Sequence, residues 1–205
     1  ANLLVSDKGI RGIVIHLGKP FESISVECDK IKAGSAARIS KVADVAASNN
    51  LSGLEGVGTV PGSVGGAIVM NAGTHRGYID EVIESVSIVT ESGQMQTLSR
   101  EQCDFAYRNS RFQNDRLIIL TSALFALRPG DGKAIERHLE SVRKHRVETQ
   151  PQGKSAGCFF KNPPNSSAGK LIEDSGGKGL REGGAEVSTV HANFIMNTSG
   201  ATASD

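Results

Sequence analysis

A glycine-rich and almost uncharged segment between residues 53 and 73 constrains this chain more than any other feature of its sequence. Residues 58–73 read Gly-Thr-Val-Pro-Gly-Ser-Val-Gly-Gly-Ala-Ile-Val-Met-Asn-Ala-Gly. Glycines let a ligand approach the backbone closely, and consecutive backbone N–H groups form a concave site that suits phosphate oxygens. The segment is neither a Walker loop nor a G-x-G-x-x-G fingerprint. It therefore predicts either a pyrophosphate site or a set of tight turns that support a sheet.

Strands and helices are mixed on either side of this segment. A helix is predicted after Ser35, which can cap it. One apolar face of that helix is formed by Ile39, Val42, Ala43 and Ala46. Two further helices are predicted at residues 135–147, with an apolar stripe at Ile135, Leu139, Val142 and Val147, and at residues 168–175. Strands are predicted at residues 13–15, 24–26, 31, 86–89, 94–98, 116–127 and 187–197.

The order of these elements predicts the α+β class, because there is no regular βαβ alternation. The run Pro129-Gly130-Asp131-Gly132 breaks the chain, so we predict one domain at residues 1–128 and a second at residues 129–205. The first residues already resemble a strand, and the last resemble the start of a helix. An internal fragment of a longer protein is therefore expected.

The composition argues against several classes of function. The 23 basic and 22 acidic residues give a formal net charge of +1, and no basic block offers the surface that nucleic acid requires. No apolar run is long enough to span a bilayer. Cys28, Cys103 and Cys158 are odd in number and widely spaced, so they suit neither a disulfide framework nor a metal site. A reducing cytoplasm is the expected location.

Two later segments carry candidate chemistry. Residues 105–112 read Phe-Ala-Tyr-Arg-Asn-Ser-Arg-Phe, where Arg108 is either a surface arginine in an ion pair or a fork for a carboxylate or phosphate. Residues 154–163 read Lys-Ser-Ala-Gly-Cys-Phe-Phe-Lys-Asn-Pro. Cys158 is either a small buried hydrophobe or a positioned acid, because a thiol with an unperturbed pKa of about 8.5 is mostly protonated at neutral pH.

Residues 58–73 closely resemble the flavin-binding signature of the UDP-N-acetylenolpyruvoylglucosamine reductases, and the opening Asn-Leu-Leu-Val resembles the end of that family's pyrophosphate turn. The resemblance implies an FAD-binding domain of the vanillyl-alcohol-oxidase type, followed by a smaller α+β substrate-binding domain. It implies that FAD is held by Asn2, Leu3, Gly58, Pro61, Gly62, Ser63, Gly65, Gly66, Asn71 and Gly73.

The two later segments also resemble this family. The pattern Tyr-Arg-x-Ser-x-Phe is matched in full, which implies that Arg108 polarises the enolpyruvyl carboxylate and that Tyr107 contacts the substrate. The family's Ser-Ala-Gly-Ser-Phe-Phe-Lys-Asn-Pro is matched except that Cys158 stands in the place of the proton-donating serine. Further substrate contacts are implied for Lys161, Asn162, His191 and Asn193. From the residues alone, His191 is more simply a structural hydrogen-bonding residue.

The resemblance implies a reductase that uses FAD and NADPH to convert UDP-N-acetylglucosamine enolpyruvate to UDP-N-acetylmuramate. A monomer that binds this UDP-sugar, and neither nucleic acid, membrane nor metal, is expected. The family's active-site glutamate has no match in this sequence. Two alternatives stay open: a flavin- or nucleotide-binding fragment without turnover, and another oxidoreductase of the same flavoprotein superfamily.

Overall fold

The computed structural model of the protein describes residues 3–115 and 117–205. The chain forms two compact units. His16–Arg143 makes up the larger, and Lys144–Asp205 with the segment that ends at Ile15 makes up the smaller. Helices and strands are mixed in both units, and the predicted α+β class is confirmed. No helix in the described parts of the chain is long and apolar enough to cross a membrane.

The regular elements are short. The helices are α1 Ile39–Ser48, α2 Val64–Val69, α3 Gly132–Thr149 and α4 Ala168–Asp174. The strands are β1 Ile24–Glu27, β2 Lys30–Gly34, β3 Leu51–Ser52, β4 Gly73–Thr74, β5 Gly77–Tyr78, β6 Ile83–Val89, β7 Met95–Ser99, β8 Ile119–Ala126, β9 Arg128–Pro129, β10 Ser155–Cys158, β11 Arg181–Glu182, β12 Ala185–Val187 and β13 Phe194–Asn197.

The larger unit is built on an antiparallel sheet in the order β1-β2-β8-β6-β7. Strand β8 lies at its centre and pairs with β2 and β6. Phe125 of β8 and Ile31 of β2 are fully buried and form part of one apolar core with α1 and α2. The predicted apolar face of α1 is confirmed, because Ile39, Val42, Ala43 and Ala46 are all buried. Apolar residues of the glycine-rich segment, including Val64 and Ile68, belong to the same core.

Ser35 does not cap α1, contrary to the prediction. The N-cap is Arg38, which makes no side-chain capping hydrogen bond. Ser35 is instead buried at the end of β2, where its N–H donates to the carbonyl of Thr121 and its carbonyl accepts from the N–H of Gly65. The sequence predicted that the Ser35 side chain caps the nearby helix. In the structure the Ser35 backbone instead forms hydrogen bonds with the sheet and with the glycine-rich segment.

Three other local predictions were wrong in part. Residues 13–15 form no strand, and Ile13 is 92% exposed. Residues 187–197 are not one strand, because β12 ends at Val187 and β13 begins at Phe194. Between them the Ser188 hydroxyl accepts from two N–H groups at a turn of the chain. Val147 is 64% exposed and does not continue the apolar stripe of α3. Short apolar runs give a strand signal even where no neighbouring strand is available to pair with.

The smaller unit contains a four-stranded sheet in the order β10-β13-β12-β11 and the helix α4. Ser167 caps α4, since its hydroxyl accepts from the N–H of Lys170, and the helix ends before Gly176, where φ is 74°. A left-handed residue of this kind commonly ends a helix. The division between the two units falls inside α3. The predicted domain boundary between residues 128 and 129 stays a prediction.

Candidate active site

The glycine-rich segment packs against the start of α1. Its backbone exchanges three hydrogen bonds with residues 35–39: the Gly65 N–H with the Ser35 carbonyl, the Val64 N–H with the Ala37 carbonyl, and the Ile39 N–H with the Gly62 carbonyl. The Ser63 hydroxyl caps α2 by accepting from the N–H of Gly66. These contacts fix the path of the segment.

The five predicted cofactor-binding glycines divide into two groups: an added Cβ would have an atom within 3.1 Å at Gly58, Gly65 and Gly73, but not at Gly62 or Gly66. Gly58 is required by packing, because a Cβ there would lie 2.4 Å from the Cβ of Ala43. Gly62 has a φ of 143° and nothing within 4 Å of an added Cβ, and Gly66 is also exposed. Only the second group leaves backbone open to a ligand. Pro61 is exposed beside Gly62.

Three buried side-chain oxygens distinguish this region. The side-chain oxygens of Ser35 (Oγ), Thr59 (Oγ1) and Asn71 (Oδ1) are buried and have no hydrogen-bond partner among the described residues. Buried polar groups are nearly always paired, and exceptions call for an explanation such as a bound polar ligand. All three lie in the glycine-rich segment or against it, because Ser35 contacts Gly65. The region therefore fits a ligand rich in donors and acceptors.

Arg108 lies at the far end of the same segment. Its guanidinium donates to the carbonyls of Asn71 and Gly73 and lies 5.6 Å from the ring centroid of Tyr78 and 5.4 Å from that of Tyr107. Both Asn71 (φ 40°) and Arg108 (φ 52°) adopt left-handed backbone conformations. Such conformations are costly for non-glycine residues and are concentrated at functional sites.

Neighbouring side chains hold the Arg108 backbone in place. The Gln113 amide donates to the carbonyls of Arg108 and Val69. The hydroxyl of Ser110, which is fully buried, donates to the same Val69 carbonyl at 2.7 Å. The serine of the Tyr-Arg-x-Ser-x-Phe pattern thus anchors the arginine segment to the end of α2. Two motifs that the sequence singled out separately are brought together here.

The other predicted centre, Cys158, lies in the smaller unit at the end of β10. It pairs with Phe194 of β13, and the register shifts between Ser155 and Cys158, where Gly157 has a φ of 86°. Cys158 is exposed, so it is not the small buried hydrophobe that a cysteine commonly is. A bulge of this kind can redirect a side chain next to an active site.

Arg146, near the end of α3, is a neighbour of Cys158 that the sequence did not single out. Burial lowers the pKa of the Arg146 guanidinium, and the charge of the Cys158 thiolate acts on that pKa in the opposite direction. The two groups are therefore close enough to interact electrostatically. Only the folded chain brings the end of α3 to the end of β10, so no local pattern could have found this pair.

The residues after Cys158 are held by Asn193. The Asn193 side chain accepts from the Phe160 N–H and donates to the Phe160 carbonyl, both at 2.9 Å. His191 Nδ1 accepts from the Asn193 N–H, and its ring lies edge-on to Phe194. Asn193 and His191 therefore both have a structural role, which is the role that the sequence favoured for His191. Their contact with substrate stays a prediction.

The remaining predicted residues that the structure describes are exposed. Both Lys161 and Asn162 are exposed, and the side-chain oxygen of Asn162 accepts from the Ala168 N–H at the start of α4. Leu3 is 73% exposed, and Asn2 lies outside the described residues. Among residues 3–115 and 117–205, no group of three His, Cys, Asp or Glu side chains could hold a metal ion.

Family models match most of the chain. The model of an FAD binding domain matches residues 1–99, and the model of the C-terminal domain of UDP-N-acetylenolpyruvoylglucosamine reductase matches residues 149–205. The UDP-N-acetylenolpyruvoylglucosamine reductase 1 of Bacillus cereus is 41% identical over 206 residues, which cover 100% of this chain and 68% of the relative.

The chain belongs to the UDP-N-acetylenolpyruvoylglucosamine reductase family. The relative from Heliobacterium modesticaldum is 44% identical over 100% of this chain and 66% of its own length, so the chain spans about two thirds of these reductases. The crystal structure of the reductase from Thermus caldophilus superimposes with a TM-score of 0.91 at 38% identity, covering 100% of this chain and 74% of that one. The expected family and its FAD-binding domain are confirmed.

The region around the glycine-rich segment fits the FAD that this domain family binds. A dinucleotide offers many hydrogen-bonding atoms to the unpaired oxygens of Ser35, Thr59 and Asn71, and the open backbone at Gly62 and Gly66 accepts a close approach. Ser35 and Thr59 were not predicted as cofactor residues. The observation that points to them is a buried side-chain oxygen without a hydrogen-bond partner in the part of the chain that the structure describes, which cannot be seen in a sequence.

Proposed function

We propose that the protein containing this chain catalyses the NADPH-driven, FAD-dependent reduction of UDP-N-acetylglucosamine enolpyruvate to UDP-N-acetylmuramate in peptidoglycan synthesis. The observation that carries the proposal is Arg108, whose guanidinium is fixed by two backbone carbonyls and two aromatic rings beside the glycine-rich segment. A guanidinium held in this way is suited to a carboxylate.

FAD would be held by the backbone at Gly62 and Gly66 and by the polar side chains of Ser35, Thr59 and Asn71. When bound, it supplies the hydride that NADPH provides, and this chemistry belongs to the cofactor. The protein binds the substrate, orients it and stabilises charge.

Arg108 is proposed to bind the substrate carboxylate. Addition of hydride to the vinyl C3 leaves negative charge on C2 and its carboxylate. A fixed cation next to that charge lowers the barrier, because it needs no reorganisation during the reaction. Two of the five guanidinium N–H groups donate to Asn71 and Gly73. The other three are enough for a bidentate contact with the carboxylate.

Cys158 is proposed to complete the reaction by donating its proton to C2. One hydride at C3 and one proton at C2 saturate the double bond, and the thiolate is reprotonated from solvent. The thiol is exposed at the end of β10, and Arg146 lies close enough to stabilise the thiolate that remains. Lys161 and Asn162 follow on the same loop and are proposed to contact the UDP-sugar.

The proposed partner is this small-molecule substrate alone, and the protein is proposed to act as a monomer. NADPH and nucleotide-activated sugars are cytoplasmic metabolites, so the cytoplasm is the proposed location. The thiol at position 158, which stands in the place of the family's serine, favours one alternative, a flavin- or nucleotide-binding fragment of the same fold that does not turn over.

The proposal is tested with variants of Cys158 in the full-length protein that contains this chain. The wild type is expected to be yellow and to oxidise NADPH when the enolpyruvyl sugar is present. Cys158→Ala should reduce product formation by about 10²–10⁴-fold, the usual contribution of a positioned general acid, and should leave flavin reduction by NADPH unchanged. Cys158→Ser restores a donor and should retain activity.

Stopped-flow absorbance at the flavin band separates the two half-reactions. A yellow full-length protein whose reduced flavin is not reoxidised by the sugar would refute the reductase assignment and leave the alternative of flavin binding without turnover. A colourless full-length protein would refute both. Equal turnover by the wild type and by Cys158→Ala would remove the thiol from the mechanism.

A further inference from the structure

Tyr78 is a half-buried aromatic residue that faces the arginine of the proposed site. It lies in β5, directly opposite Gly73 of β4. A Cβ on Gly73 would lie only 2.2 Å from Cδ1 of the Tyr78 ring. The ring therefore lies directly against the Gly73 backbone, whose carbonyl accepts from Arg108. The absence of a side chain at residue 73 makes room for this ring.

The hairpin fixes the backbone of Tyr78. The Tyr78 N–H donates to the Glu81 carboxylate at 3.1 Å, at the start of a short 3₁₀ turn. The next residue, Ile79, is fully buried and donates its N–H to the Ala72 carbonyl. Tyr78 is thus attached to the core on one side and to the glycine-rich segment on the other. A ring held in this way can restrict a flexible neighbour.

Arg108 is stabilised without being neutralised. The guanidinium lies within 6 Å of the ring centroids of both Tyr78 and Tyr107, a distance at which a cation is attracted to an aromatic face. The two rings lie edge-on to each other, with centroids 6.5 Å apart. None of the ion pairs found in the described part of the chain involves Arg108. Aromatic rings and carbonyls hold the cation and leave its charge available to an anion.

We propose that Tyr78 is a positioning residue that holds the Arg108 guanidinium in the orientation needed for the substrate carboxylate. The inference rests on the proposed function, because it assigns to Tyr78 an effect that acts only through Arg108. Tyr78 makes no contact with the reacting atoms in this role. Its aromatic face is the functional part, and its hydroxyl is dispensable.

The test uses Tyr78→Leu and Tyr78→Phe in the full-length holoenzyme. Tyr78→Leu removes the aromatic face and should lower the rate at which the enolpyruvyl sugar reoxidises the reduced flavin by about tenfold, and raise KM for the sugar, within the range of a partly buried cation–π contact. Tyr78→Phe keeps the face and should retain at least half of the wild-type rate. Flavin reduction by NADPH is the internal control and should be unaffected in both.

A double-mutant cycle with Arg108→Gln shows whether the effect passes through the arginine. Tyr78→Leu should have no further effect on flavin reoxidation once Arg108→Gln is present. Equal rates for Tyr78→Leu and the wild type, or a tenfold loss that persists in the Arg108→Gln background, would overturn the inference. If Tyr78→Leu does not yield a folded yellow protein, Tyr78→Met is used in the same cycle.

The cycle also separates this inference from the function on which it rests. If Arg108→Gln alone reoxidises as fast as the wild type, the proposed role of Arg108 is wrong, and the role of Tyr78 fails with it. If Arg108→Gln is impaired and Tyr78→Leu is not, only the inference about Tyr78 fails.

Discussion

Arg146 and Cys158 show how the fold changes the chemistry of single residues. A thiol is a stronger acid than an alkyl hydroxyl, and its conjugate base is stabilised by a nearby cation. Arg146 is half-buried, and its pKa responds to the charge of Cys158. A cysteine in this environment can donate a proton, and it also carries the risk of oxidation that accompanies an accessible thiolate.

We expect Arg146→Gln to shift the alkylation of Cys158 to higher pH. Removal of the cation disfavours the thiolate, so iodoacetamide should react more slowly at a given pH. The measurement is the rate of alkylation between pH 6 and about 10, with mass spectrometry to identify the modified residue. Cys28, which is also exposed, reports any general change in reactivity. An unchanged pH profile at Cys158 would show that Arg146 does not stabilise its thiolate.

The glycine-rich segment combines two requirements in one element. Gly58 lies against Ala43 of α1 and the Leu54 carbonyl, where no side chain fits. Gly66 lies in α2, exposed, and an added Cβ would meet only the Ser63 hydroxyl at an ordinary 3.5 Å. Packing therefore accounts for the first glycine but not for the second. Close approach of a bound ligand is the remaining reason for a glycine at residue 66.

Alanine substitutions should separate these two requirements. Gly58→Ala should lower the free energy of unfolding by about 1–3 kcal/mol, because it overpacks the core. Gly66→Ala should leave the FAD-free protein as stable as the wild type, or more stable by about 0.5–1 kcal/mol, because alanine is favoured over glycine in a helix. It should also weaken FAD binding.

Denaturant unfolding of the FAD-free protein and flavin fluorescence titration measure the two effects. Wild-type FAD affinity in Gly66→Ala would show that this stretch of backbone does not contact the cofactor. An undiminished stability of Gly58→Ala would contradict the packing described around Ala43.

At the scale of the whole molecule, the larger unit depends on one apolar core that includes a buried thiol. Cys103 is fully buried, and its thiol donates to the Ser99 carbonyl at 3.3 Å. Burial raises the pKa of Cys103 from 9.0 to about 11. Global unfolding exposes this thiol to water, so its titration is linked to the stability of the entire unit.

We expect the free energy of unfolding of the larger unit to fall as the pH rises from about 9 to about 11. In this window the unfolded chain loses the Cys103 proton and the folded chain keeps it, so deprotonation favours the unfolded state. Below pH 9 the protonated Cys103 thiol makes its full contribution to the free energy of unfolding. Between pH 9 and about 11 this free energy falls by about 2–3 kcal/mol.

Other groups titrate in the same range. The informative quantity is therefore the difference in the free energy of unfolding between the wild type and Cys103→Ala at each pH. That variant should lose this part of the pH dependence while carrying a constant cost for the cavity. Parallel stability curves for the wild type and Cys103→Ala between pH 9 and 11 would contradict the prediction. Denaturant titrations at several pH values provide the curves.

Local patterns predicted much of the fold because their physical basis is local. The apolar face of α1 and the hairpin of β6 and β7 follow from periodicity and from turn residues a few positions apart. The failures depend on distant contacts. Residues 13–15 have strand-like residues but no strand to pair with, and the sheet determines the role of Ser35.

Residue types and their order along the chain were enough to predict the family, the three motifs and Arg108 and Cys158 as groups with suitable chemistry. The surroundings of these two residues became known only from the folded chain. Arg108 is held by residues 30 to 37 positions earlier in the chain, and Cys158 is influenced by a residue 12 positions earlier, at the end of α3. Side-chain chemistry is fixed by residue type, whereas orientation, burial and charge environment are produced by neighbours that only folding brings together.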